Sequence, residues 1–83
     1  MGIKELLEEA KFEMLTGDYD EAEKFLKQAL KQEPNNIEAL FNMGLLCEIT
    51  HRQFEALRYF KKVLEIEPEH AEAKQHAERL AEF

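Results

Sequence analysis

The sequence predicts an all-α chain: two helical hairpins followed by a capping helix, five antiparallel helices in all. Three observations lead there. Ala22, Phe25-Leu26, Ala29-Leu30 and Glu33-Pro34 recur 34 residues later as Ala56, Tyr59-Phe60, Val63-Leu64 and Glu67-Pro68. A fixed period of this length marks a repeat protein. Within each period the apolar residues fall at the three-and-four spacing of a helix. Gly17, Pro34 and Pro68 then stand where helices would end.

Residues 3–15 read as the first helix, with Ile3, Leu6, Leu7, Ala10 and Met14 in helical register. Gly17 suits a left-handed C-terminal turn. Asp18 caps the second helix, and Glu21 three residues on resembles a capping box. That helix runs to about Gln32 and stops before Pro34, because the residue before proline resists the α region. Asn35 or Asn36 caps the third helix, 36–49, whose apolar residues cover more than one stripe and so predict contacts on two or three sides. The turn at Thr50-His51-Arg52-Gln53 lacks glycine, and Thr50 with Gln53 offers a capping box instead. The fourth helix, about 52–66, ends at Pro68. The segment 69–82 is helical by propensity but poor in large apolar residues. Its packing stripe reads as Ala77, Leu80 and Ala81, and a polar terminal helix suits the open end of a repeat stack.

Eighty-three residues bound the chain to one domain, 1–83, divided as 3–34, 37–68 and 69–83. With 18 acidic and 11 basic residues the net charge is −7. That balance repels phosphate backbones and anionic lipid, so nucleic acid and membrane surfaces are poor partners. A single cysteine suits a reducing compartment. No apolar run approaches the length of a membrane span, no secretory h-region is visible, and Leu6 stands where a myristoylation signal wants Ser or Thr. The expected location is cytoplasmic.

The period and pattern resemble the tetratricopeptide repeat, a helix-turn-helix unit of 34 residues. Ala10 and Gly44 hold the place of the small residue that lets the second helix approach. Ala22 and Ala56 match the small residue on that second helix, and Ala29 the next one, which becomes Val63 in the later copy. Leu6 and Leu40 open the units where the family often has Trp, and Pro34 and Pro68 end them. The first copy keeps the Gly-Asp-Tyr turn; the second has His51-Arg52-Gln53 with Phe54 one place late. The resemblance covers 3–68 and implies a right-handed α-solenoid that binds protein or peptide partners and scaffolds them, without cofactor, metal or catalysis. A homo-oligomer formed through the same apolar surface, or by helix exchange, is the alternative.

The resemblance also implies a concave groove lined by the first helix of each hairpin. With Leu6, Ala10, Leu40 and Gly44 turned to the core, helical rotation of 100° per residue selects the groove face. It carries Leu7, Met14, Phe41 and Leu45 as apolar contacts and Lys11, Asn42, Gln75 and Arg79 as polar ones, with Leu15 and Ile49 at the margin. Such exposed apolar clusters usually mark interaction surfaces. The family's carboxylate clamp is not matched. Asn42 stands at one clamp position, but Leu7, Lys11, Glu72 and His76 occupy the other four.

Other chemistry is poorly supported. Cys47 and His51 lie four apart, but two ligands are too few for structural zinc, and no third group orients them for nucleophilic catalysis. His70 and His76 do not share a helix face and read as solvated. Tyr19 and Phe54 read as packing residues. The glutamate runs read as solvated helix faces, with pairs such as Glu23 and Lys27 at ion-pair spacing.

Overall fold

The structure, a computed structural model, describes residues 1–82. It contains α1 (Ile3–Thr16), α2 (Tyr19–Gln32), α3 (Ile37–Ile49), α4 (Gln53–Ile66) and α5 (Ala71–Leu80), with no strand among the described residues. Phe83, the last residue of the expected capping segment, lies outside them. The helices start and stop where the sequence has means to satisfy their free ends. The Asp18 carboxylate accepts from the Glu21 amide at 3.3 Å and the Asn36 side chain from the Ala39 amide at 2.9 Å. Only half of the expected box at Asp18 forms, since the Asp18 amide donates instead to the Glu13 carbonyl at 2.9 Å.

The two hairpin turns solve one geometric problem with different residues. Gly17 has φ 85°, and His51, one period later, has φ 64°. Glycine carries no Cβ penalty in this left-handed region, whereas another L-residue pays about 1–2 kcal/mol. The expected capping box at Thr50 and Gln53 is absent: Arg52 is the N-cap and makes no side-chain cap. Thr50 Oγ1 donates back to the Leu46 carbonyl at 2.9 Å and accepts from Arg52 Nε at 3.0 Å. His51→Gly should therefore raise stability by roughly 0.5–1 kcal/mol, read as an upward shift in a urea midpoint with unchanged m-value.

Packing follows the repeat. α1 pairs with α2, α3 with α4, and α5 lies on α4, while α3 also touches α1 and α2. Ala10 and Gly44 are both fully buried small residues at their hairpin crossings. At Gly44 the approach is extreme, since a Cβ there would meet the Phe60 ring at 2.7 Å. α3 is the central helix, as its broad apolar surface predicted, with Ala39, Leu40, Asn42, Met43, Gly44, Leu46 and Cys47 all buried.

The two ends of the stack are built on opposite halves of the α3 pattern. α1 keeps the residues that face its own partner helix, Leu6 and Ala10, and both are buried. At the places of Ala39, Met43 and Cys47 it carries Glu5, Glu9 and Glu13. α5 does the reverse. Its buried residues Ala73, Ala77 and Leu80 match Ala39, Met43 and Leu46, while Lys74 and Glu78 replace Leu40 and Gly44 and are exposed. Ala73 thus takes the packing place expected of Ala81, which is exposed.

An ion-pair network ties the hairpins together. Arg52 donates to both Glu23 oxygens at 2.9 and 3.3 Å, and Lys27 pairs with Glu23 at 3.0 Å as the spacing predicted. The Arg52 hydrogen bond holds the Glu23 carboxyl below its ordinary range, against the opposing effect of burial. A carboxyl depressed in the folded state stabilises the fold above its unfolded pKa, about 4.3, and loses that contribution as pH falls through the folded value. Glu23→Gln should cost roughly 1 kcal/mol at pH 7. The gap from wild type should begin to narrow as pH falls below the unfolded carboxyl value of about 4.3, and close once pH falls below the depressed folded value, in thermal melts taken across pH.

Three side chains depart from expectation. Phe54 is 88% exposed rather than packed, because the one-place delay relative to Tyr19 turns it off the core face. His70 is not simply solvated, since its Nδ1 accepts from the Ala73 amide at 3.0 Å and caps α5. His76 stacks on Phe60 with ring centroids 4.8 Å apart.

Candidate functional site

Between α1 and α3 lies a shallow hollow of about 370 Å³, lined by Lys11, Met14, Leu15, Asn42 and Ile49. Leu15 and Ile49 are one period apart, near the C-terminal ends of their helices, and both are exposed, Leu15 by 86%. Met14 is partly buried and packs on the core beneath them. At one side Lys11 pairs with Glu38, which holds the ammonium across the gap between the two helices.

Asn42 is the unusual member. It is the one buried polar residue among those described, 9% exposed, and its side chain makes no hydrogen bond to a described residue. Among the described residues no side-chain polar atom fully closed off from the surface lacks a partner, so the Asn42 amide, which lines the hollow, is open to it. An amide offers both a donor and an acceptor. Open to the hollow, the amide bonds water there, and a ligand that displaces the water must offer hydrogen bonds in exchange.

The other expected groove residues divide into two settings. Leu7 is only 8% exposed and belongs to the core, since α1 touches α3 as well as α2 and its buried arc is wider than a hairpin alone requires. Phe41 and Leu45 are partly buried and pack against the core. Phe41 meets Phe60 edge-on at 5.5 Å and lies 5.1 Å from the His70 ring, so α5 shields part of it. Gln75 and Arg79 lie exposed on α5. Arg79 is held by Glu48, whose other oxygen contacts His76 Nδ1 at 2.8 Å. The hollow therefore gathers Lys11, Met14 and Asn42 from the expected set and adds Leu15 and Ile49, which the helical rotation placed only at its margin. Gln75, Arg79, Phe41 and Leu45 belong to the neighbouring α3–α5 side.

The remaining candidate chemistry is structural. Cys47 is fully buried, and burial pushes its thiol pKa up, which leaves it mostly in the less nucleophilic thiol form. His51 sits in the turn. Among the described residues no group of three or more metal-ligating side chains comes together, and no helix is long and apolar enough to cross a membrane.

Antiparallel helix pairs repeated at 34 residues, with a small residue at each crossing and a polar helix on the last pair, define a helical repeat protein. A family model described as tetratricopeptide repeat matches residues 5–69, most of the chain, and the chain belongs to that family. Such repeats are generally protein–protein interaction modules. No curated protein matches the chain.

Proposed function

We propose that the chain is a non-enzymatic scaffold module that holds a peptide or helix of a partner protein in the groove along α1 and α3. The observation that carries this reading is the hollow itself: an apolar rim of Leu15 and Ile49 beside an Asn42 amide that faces the hollow and bonds no other described side chain. In this reading an apolar partner side chain sits between Met14, Leu15 and Ile49, while the Asn42 amide pairs with the adjacent peptide backbone. Lys11, Gln75 and Arg79 line the route onto the neighbouring helix and orient the partner. Phe41 and Leu45 complete the apolar floor where α5 leaves them open. Assembly of copies end to end has weaker support, because both end faces carry charged side chains at the positions that α3 buries.

A random peptide library displayed on phage tests this directly. Selection on the wild-type protein should enrich sequences whose binding falls at least about tenfold in Leu15→Asp with Ile49→Asp, the loss expected for an apolar anchor of 1.5–3 kcal/mol. Both positions are exposed, so helix content should not change. Enriched peptides that bind the double variant as tightly as wild type, or no enrichment at all, would refute the groove.

A further inference from the structure

The outer face of α1 carries a second surface that the groove does not use. Phe12, 58% exposed, lies on it, one period before Leu46, which is fully buried. Glu5, Glu9 and Glu13 flank it on one side, at the places where α3 has Ala39, Met43 and Cys47. On α3 these positions turn away from Gly44, and hence from α4, toward the preceding hairpin, where α2 packs. On α1 the same face has no covering helix among the described residues. Its acids are unneutralised among the described residues: Lys11 is engaged with Glu38 and Lys24 with Glu21, and no described ion pair reaches Glu5, Glu9 or Glu13. Desolvation first, and then the negative charges of Asp18, Glu21 and Glu9, raise the Glu13 carboxyl above its ordinary range.

We propose that this face docks a basic amphipathic helix of a partner protein, seated on α1 as α2 is seated on α3. The partner's apolar stripe covers Phe12, and its flanking Lys or Arg side chains pair with Glu5, Glu9 and Glu13. Charge complementarity selects this occupant. A second copy brings the same acidic face and a net charge of −7, so two such faces repel. A face with an aromatic anchor beside a charged row also has the anatomy of a small interface, in which one desolvated residue carries most of the affinity. This surface adjoins the groove rim at Leu15, three residues along α1 from Phe12, but its acids lie on the far side of Phe12 from the hollow.

The test is a titration of ¹⁵N-labelled protein with a synthetic amphipathic peptide about five helical turns long. The peptide has leucines along one stripe and lysines beside them. The amides of Glu9, Phe12 and Glu13 should shift. Phe12→Ala should weaken binding about tenfold, Glu9→Lys with Glu13→Lys should abolish it, and Ile49→Asp, on α3, should leave it intact. Any one of four results would overturn the proposal: no binding, shifts confined to Lys11, Leu15 and Ile49, equal affinity for a peptide with glutamates in place of the lysines, or a wild-type dimer in sedimentation that Phe12→Ala dissolves.

Discussion

Gly44→Ala should destabilise the protein by about 1–3 kcal/mol, the range for an overpacked core, although alanine is the better helix former by about 1 kcal/mol. The new Cβ would sit 2.7 Å from two atoms of the Phe60 ring. That ring has little room to yield. It is fully buried, lies against His76 at 4.8 Å and meets Phe41 edge-on at 5.5 Å. The first hairpin shows how the conflict is resolved. One period earlier Ala10 and Leu26 stand in place of Gly44 and Phe60, and both are fully buried. The two hairpins thus trade size across one contact, alanine with leucine in the first and glycine with phenylalanine in the second. Gly44→Ala combined with Phe60→Leu rebuilds the first pair inside the second. The double variant should be more stable than the sum of the single effects allows, by about 1–2 kcal/mol of coupling. Denaturant melts of the four proteins in the cycle measure it. A coupling near zero would mean that Phe60 relaxes freely and that the close approach does not depend on glycine.

That size trade was half legible in the sequence. The offset of 34 placed Gly44 with Ala10 as the residue of close approach, and the helix bounds followed from Gly17, Pro34, Asn36 and Pro68. What the ring of Phe60 touches was not legible, because its neighbours come from α5. His70 and His76 read as surface residues in a polar helix, yet one caps that helix and the other stacks on Phe60. A local pattern of polar residues carries no sign of an aromatic partner 16 positions away. The candidate groove was read from the same local geometry. Rotation from Leu6 and Leu40 brought Lys11, Met14 and Asn42 to one hollow, but it treated each helix as packing on its hairpin partner alone. Contact between α1 and α3 adds a second buried flank. It draws Leu7 and Asn42 inward and leaves Leu15 and Ile49 as the exposed rim.

The contrast between α1 and α3 yields the second large effect. Met43→Glu places in α3 the residue that α1 carries at the equivalent position, Glu9. Met43 is 1% exposed, whereas Glu9 lies in solvent. A carboxylate buried without a partner costs several kcal/mol, or is protonated at a comparable cost. A chain of this size has roughly 4–12 kcal/mol of total stability. Met43→Glu should therefore lower stability by about 3–5 kcal/mol, enough to leave a substantial unfolded fraction at 37 °C in circular dichroism. Because the acid is stabilised in its neutral form, part of the loss should return as pH falls toward 5, here because the variant gains stability, whereas the Glu23→Gln gap closes because wild type loses it. Glu9→Gln, at the same helical position, should change stability by less than about 0.5 kcal/mol. The same residue type is thus tolerated or destructive according to whether a neighbouring hairpin covers it. A small effect of Met43→Glu would show that α3 does not need the first hairpin and that the two pairs fold as independent units.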